Sequence, residues 1–273
     1  MNSYFEYNNG TKELPANSFR ISPSQVSKFF DSTSAWYRNA VFGEQEEIKN
    51  RTPIELGNCV HAAAHMYFDT GTVDHVAILN YINSITDPEV DKSIISAQYP
   101  IMLETLLANF DPQQATYAEM FIDKDLLPNI YVGGSIDLFD KARGILYDYK
   151  TTGSLDSARI PTSFPRAYYF QQLTYAYLLK EKGFNVNYVK LLYITRANVN
   201  RISPKTGKPM KDYPSEFHIV TEEVTQEKLD FIESCLMLIA ESVQAFKNNL
   251  ELQHIIAQDY RLKLPTKPIL FKD

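Results

Sequence analysis

The stretch YVGGSIDLFDKARGILYDYKTTG, Tyr131 to Gly153, decides how this chain is read. Two β-rich runs flank residues 141–144, which close on Gly144, so the stretch predicts a hairpin with a four-residue loop. Side chains alternate along a strand: Asp148 and Lys150 share one face, Tyr147 and Tyr149 take the other, and Asp137 points away from Ile136 and Leu138. In the register such a loop imposes, Asp137 falls opposite Asp148, with Cβ atoms about 4.5–5.5 Å apart.

Facing carboxylates repel, and burying them uncompensated costs more still. The pattern calls for a cation, and Lys150 supplies one charge. A hard divalent metal is the natural further partner, since Mg²⁺ takes carboxylate oxygens and keeps several waters. Lys150 beside it would hold or polarise water next to a scissile phosphate, which points to metal-assisted phosphodiester hydrolysis. A D-x-K pair on a strand is also common on solvated faces, so these three residues alone leave both readings open.

The wider chain adds motifs. LGNCVH ends in His61, IDLF and LYDYKTTG frame the carboxylates, Gln171 and Tyr175 follow in QxxxY spacing, and ISPSQVSKFF with WYRN spans Ile21 to Asn39. In this order they resemble the RecB-type branch of the PD-(D/E)XK nuclease superfamily, over about residues 20 to 180. The branch includes RecB nuclease domains, CRISPR-associated RecB-like exonucleases and the mitochondrial genome-maintenance exonuclease. The resemblance implies an α/β fold, a restriction-endonuclease-like core with a central mixed sheet flanked by helices and an N-terminal helical region. It implies Mg²⁺ or Mn²⁺ as cofactor, with Asp137, Asp148, His61 and the backbone carbonyl of Tyr149 as ligands and Glu119 as a further candidate. Lys150, Gln171 and Tyr175 are then catalytic residues, the substrate is DNA as single strands or duplex ends, and a helicase or recombination protein is the kind of partner suggested.

Composition narrows the alternatives. With 273 residues and 44% hydrophobic content the chain can bury a full core, and no apolar run reaches the 18 residues of a membrane span. The start, MNSYFEYNNGTKELP, lacks an apolar signal core, so an intracellular protein is expected, in the cytoplasm or in a host's cytoplasm if viral. Some RecB-like relatives carry an iron–sulfur cluster, which needs four ligands; two cysteines, Cys59 and Cys235, cannot supply them. There is no G-x-x-x-x-G-K-[ST], so no ATPase motor or nucleotide cofactor is expected, and no G-x-S-x-G. The net charge of −6 argues against blanket binding of nucleic acid, yet Arg196, Arg201, Lys205, Lys208 and Lys211 lie together without an acidic residue. That run is a candidate phosphate-contacting arm with SPKTGKP at a hairpin tip, or a solvated loop.

In chain order, residues 1–19 read as a loose extension and 20–273 as one nuclease domain. Its parts are a mainly helical region over 20–110, a catalytic sheet and QxxxY helix over 115–220, and a long packing helix over 225–250. Helices are predicted over Gln25 to Phe42 with a break at Asp31 to Ser34, over Pro53 to Asp69, over Pro165 to Lys182, and over Thr225 to Leu250. Val73 to Phe110 is helical with Pro88 and Pro100 as breakers. Strands are expected at Ala115 to Ile122, Val186 to Thr195 and Glu216 to Val220. Glu119 either faces outward or sits near the metals. Tyr168 and Tyr169 fit core packing better than base stacking. Two rival classes remain: a non-catalytic nucleic-acid-binding or inhibitor protein on a nuclease fold, and a structural protein whose D-x-K is a surface pair.

Overall fold

The structure, a computed structural model, describes residues 15, 18–44, 48, 50–111, 116–153, 160–199, 202–203 and 205–258. The extension read over residues 1–19 therefore lies almost wholly outside the described residues, and only its end, Phe19, opens strand β1 (Phe19–Ile21). A single 3₁₀ turn at Pro23–Gln25 leads into α1 (Val26–Asp31) and α2 (Thr33–Ala40). The break between them falls at Ser32, whose hydroxyl caps Ala35 N, as the polar run predicted. Three longer helices follow: α3 (Thr52–Thr70), α4 (His75–Ser84) and α5 (Lys92–Asn109).

Pro100 does not break its helix. It sits inside α5, where it removes a backbone hydrogen bond at a cost of about 3 kcal/mol. Tyr99, Met102, Leu103 and Leu106 are buried around it, and their packing outweighs that loss.

The antiparallel meander of β2 (Tyr117–Leu127), β3 (Ile130–Asp140) and β4 (Ile145–Thr152) is joined through α6 (Arg166–Glu181) to β5 (Tyr188–Thr195), which runs parallel to β4. Strand β6 (Phe217–Glu223) closes the sheet antiparallel to β5, followed by α7 (Gln226–Lys247) and α8 (Leu250–Gln258). The pattern did not foretell α8. Residues 141–144 form the expected turn, with Gly144 at φ +66°.

The sheet carries a core on each face. On one, Trp36, Leu173, Leu178, Leu236 and Ile239 pack with Phe139 and Leu146. On the other, Val60, Met102 and Leu106 pack against Tyr147, Tyr149, Leu192 and Ile194. Helix α3 thus backs β4 directly and α5 backs β5, with α4 packed on both helices. Both cysteines are buried and free. Among the described residues no helix is long and apolar enough to cross a membrane.

One irregularity positions everything below. Strand β2 occupies one edge of β3 for nearly its whole length, so β1 and β4 must share the other. β1 pairs with Ile130 to Val132 and β4 with Leu138 to Asp140. Between them, residues Gly133 to Asp137 line a notch in the sheet, into which α6 and the 3₁₀ turn project.

Candidate active site

Asp137 closes the notch. The β3–β4 ladder ends at the Leu138–Tyr147 pair, and the next position on each strand is Asp137 and Asp148. There the strands part, and the Asp137 carboxylate replaces the missing backbone partner: Tyr149 N donates to Asp137 Oδ2 at 3.0 Å. On the other side of Asp137, Glu119 lies between two paired residues of β2, Ala118 opposite Leu138 and Met120 opposite Ile136. Its φ of +48° takes it out of the ladder, a conformation costly for a residue with a Cβ. Glu119, Asp137 and Asp148 thus occupy one row across three adjacent strands.

Helix α3 brings the fourth group. A Cβ on Gly57 would lie 3.1 Å from Thr151 Oγ1, so glycine lets the helix press onto β4, and His61 follows one turn later. His61 Nε2 stands 3.0 Å from the Tyr149 carbonyl, an acceptor only, so Nε2 carries the proton. In that tautomer Nδ1 bears the lone pair, and it faces Asp137 Oδ2 at 3.8 Å and Glu119 Oε1 at 4.0 Å. Burial pushes the His61 pKa down to about 4, so the ring is neutral.

The ligand atoms of His61, Glu119 and Asp137 lie within 4.8 Å of one another. Glu119 Oε1 is buried without a hydrogen-bond partner among the described residues. One neutral imidazole and converging carboxylate oxygens, one of them unsatisfied, fit a divalent metal. The electrostatics agree. Burial, then the nearby Asp137 and Asp148 charges, raise the Glu119 pKa strongly; burial raises Asp137 and lifts Asp148 to about 6.

Asp148 and Lys150 share a face, and Lys150 Nζ meets Asp148 Oδ2 at 2.6 Å. Burial alone would lower the Lys150 pKa, but the Asp148 and Asp137 carboxylates outweigh it and hold the ammonium charged. The second Asp148 oxygen accepts from Gln172 Nε2 at 2.8 Å. Gln172 is almost fully buried and was not singled out from sequence; a second glutamine beside Gln171 was the only signal.

The Gln171 side chain lies by the Tyr175 hydroxyl, whose pKa is raised by burial and by Asp137 and Asp148 nearby. Tyr175 reaches the notch itself, for a Cβ on Gly134 would come within 2.7 Å of its Oη. The basic run is brought elsewhere. It forms an arm held by the antiparallel bridges Asn198–Tyr213 and Ile202–Pro209, with exposed Lys205 and Lys208 at the tip and Lys211 over the Tyr213 ring. Arg196 starts the arm one residue past β5, its N–H donating to Thr152 O. Arg201 lies outside the described residues.

The model of the PD-(D/E)XK nuclease superfamily matches residues 20–245, which include the notch, the carboxylate row and the helix bearing Gln171 and Gln172. The chain belongs to the PD-(D/E)XK nuclease superfamily. The mixed sheet with its βαβ crossover is the core of that superfamily's fold. Among solved structures, the chain is similar to a candidate exonuclease from Eubacterium rectale, with 14% identity, 95% of each chain covered and a TM-score of 0.56. That likeness concerns the fold. More distant are a phage-related exonuclease from Haemophilus somnus 129PT, at 11% identity over 82% of this chain and 97% of that one, and LHK-Exo in complex with dAMP, at 12% over 88% and 93%. Both have a TM-score of 0.40. No curated protein sequence matches the chain.

Proposed function

We propose that this chain is a Mg²⁺- or Mn²⁺-dependent deoxyribonuclease that hydrolyses phosphodiester bonds as an exonuclease, on DNA ends or single strands in replication, recombination or repair. The observation that carries the proposal is the row Glu119, Asp137, Asp148 with His61 at one end and Lys150 at the other. Three largely buried carboxylates with raised pKa values are costly to keep together unless a cation joins them.

In this reading His61 Nδ1, Glu119 and Asp137 would hold the metal, with Asp148 completing the set. The Tyr149 carbonyl, a further ligand implied by the resemblance, accepts from His61 Nε2. A divalent ion there supplies Lewis acidity, polarising the phosphate and acidifying water. The chain's own groups do the rest. Tyr149 N–H fixes the Asp137 carboxylate, and Gln172 fixes Asp148. Lys150 orients the attacking water and offsets the negative charge that grows on the phosphate in the transition state. Gln171 and Tyr175 border the notch, where an amide and a phenol can orient phosphate or water. The arm from Arg196 to Lys211 leaves β5 beside the end of β4, so strand phosphates extending from the site can meet its lysines. The choice of an exonuclease rests on the likeness of the ordered motifs to RecB-type enzymes, and a helicase or recombination protein as partner rests on the same ground.

The test uses end-labelled single-stranded, duplex and covalently closed circular DNA, each with Mg²⁺, Mn²⁺ or EDTA. Metal-dependent loss of linear DNA with circles intact is expected. Cut circles would make the protein an endonuclease; metal binding without cleavage of any DNA would point to RNA substrates or a missing partner, and no metal binding to the non-catalytic alternative.

A further inference from the structure

We infer that Tyr193 is a positioning residue for Lys150, its hydroxyl serving as the second acceptor to which the ammonium passes when a cation draws Asp148 away. The inference rests on the metal-dependent reading above.

Tyr193 on β5 is the register partner of Lys150 on β4. Partners across a parallel pair present their side chains on the same face. The Lys150 ammonium is held by Asp148 Oδ2 at 2.6 Å and lies 4.6 Å from the centre of the Tyr168 ring. Tyr168 in turn packs on the small cluster of Ile160, Leu191, Tyr193 and Val220. Among the described residues the ammonium therefore has one charged acceptor and one aromatic face, with Tyr193 on the adjoining strand. Tyr193 Oη is buried and, among the described residues, makes no hydrogen bond. A buried hydroxyl without a partner costs stability, and phenylalanine would fill the same space without that cost.

Asp148 explains why the hydroxyl is kept. One of its oxygens accepts from Gln172, and the other is paired with the charge of Lys150. The convergent atoms are those of His61, Glu119 and Asp137. A divalent cation in that cluster competes with the Lys150 ammonium for Asp148 Oδ2, so taking Asp148 as a further ligand loosens the hold on Lys150. An ammonium mostly shielded from water is costly to leave without an acceptor, and a phenolic oxygen is one. Lys150 has a flexible stem, so it can turn from Asp148 to Tyr193 without movement of either strand. In the metal-free protein the lysine stands in for the cation; with the cation bound, Tyr193 holds it beside the phosphate.

The test titrates Mn²⁺ alone by calorimetry into the full chain and into Tyr193→Phe, then repeats the pair in a Lys150→Met background, with metal-free melting temperatures for all four. Tyr193→Phe should melt no lower than the parent and bind Mn²⁺ about tenfold more weakly, the effect of one hydrogen bond to a charged group. That tenfold loss should vanish with Lys150→Met, where no ammonium needs a second acceptor. Unchanged Mn²⁺ affinity in Tyr193→Phe, a loss that persists in Lys150→Met, or a clear drop in metal-free melting temperature would overturn the role of Tyr193 while leaving the metal site standing. A parent chain that binds no Mn²⁺ would overturn both this inference and the metal-dependent reading.

Discussion

The backbone N–H of Tyr149 donates to the carboxylate of Asp137, and at that bond the β3–β4 ladder stops. One hydrogen bond thus does two things. It satisfies a buried donor that has lost its strand partner, and it aims the Asp137 carboxylate into the notch beside Glu119 and His61. Asp137→Ala removes both functions: cleavage should fall by at least about 100-fold, as when a single preorganised active-site group is lost. The amide proton of Tyr149 should exchange faster, and hydrogen exchange followed by mass spectrometry would detect it. An unchanged exchange rate would show that the carboxylate is not the partner of that amide.

The pH dependence of the metal-free protein follows from the same crowding. Glu119, Asp137 and Asp148 have folded-state pKa values above their unfolded ones, so their contribution is most favourable below the ordinary carboxylate range and is lost as pH rises through the folded values. For Asp148 the window runs from 3.8 to about 6. His61 works in the opposite sense, because its depressed pKa makes the folded state less favourable as pH falls from 6.5 towards about 4. Above 6.5 Asp137 and Asp148 finish ionising, and Glu119, raised to about 9, is the one of these four that stays mostly protonated. The melting temperature in EDTA should therefore decline with pH above 6.5, and Mn²⁺ should raise it more at high pH than at low. Glu119→Gln should flatten the decline and weaken Mn²⁺ binding. Thermal scans of both proteins with and without Mn²⁺ test this, and a parent curve as flat as the variant's would contradict it.

Much of this arrangement is legible in the sequence, because strand parity needs no tertiary information. Alternation alone put Asp148 and Lys150 on one face, and the four-residue loop put Asp137 opposite Asp148. Glu119 was harder: a strand pattern offers two faces, and the positive φ that turns this residue out of the ladder has no signature in a non-glycine position. Gln171 and Gln172 show the limit on helices, since neighbours point about 100° apart and only the sheet decides which one meets Asp148. Pro100 misleads for the converse reason, local chemistry being overruled by the packing of Tyr99 and Met102 on both sides of it. The break before α8 escaped because neither glycine nor proline marks it; the signal present is Asn249, whose Oδ1 caps Leu252 N.

Gly134 has its own test. A Cβ there would lie 2.7 Å from Tyr175 Oη and 3.2 Å from Pro23 Cδ. Gly134→Ala should destabilise the protein by about 1–3 kcal/mol, the usual range for overpacking. In a Tyr175→Phe background the hydroxyl is gone, and the penalty should shrink. Equal penalties in both backgrounds, by denaturant unfolding, would place the clash elsewhere.

The arm is separable from the chemistry. Replacing Lys205, Lys208 and Lys211 together by Gln should weaken DNA binding and reduce the slope of log affinity against log salt by about 2–3, near one unit for each phosphate no longer neutralised. Fold stability should hardly change, since these side chains are exposed. An unchanged slope would mean that the arm touches no phosphate.

The central claim is that the notch between β1 and β4 is a metal-dependent phosphodiesterase site with Lys150 at the reacting phosphate. Single-turnover cleavage of linear DNA by the parent chain and by Lys150→Ala, each saturated with Mg²⁺ and matched for DNA binding, tests it most directly. The expected result is cleavage by the parent, none in EDTA, and a rate at least about 100-fold lower in the variant with DNA affinity retained. Equal rates for the two proteins would contradict it.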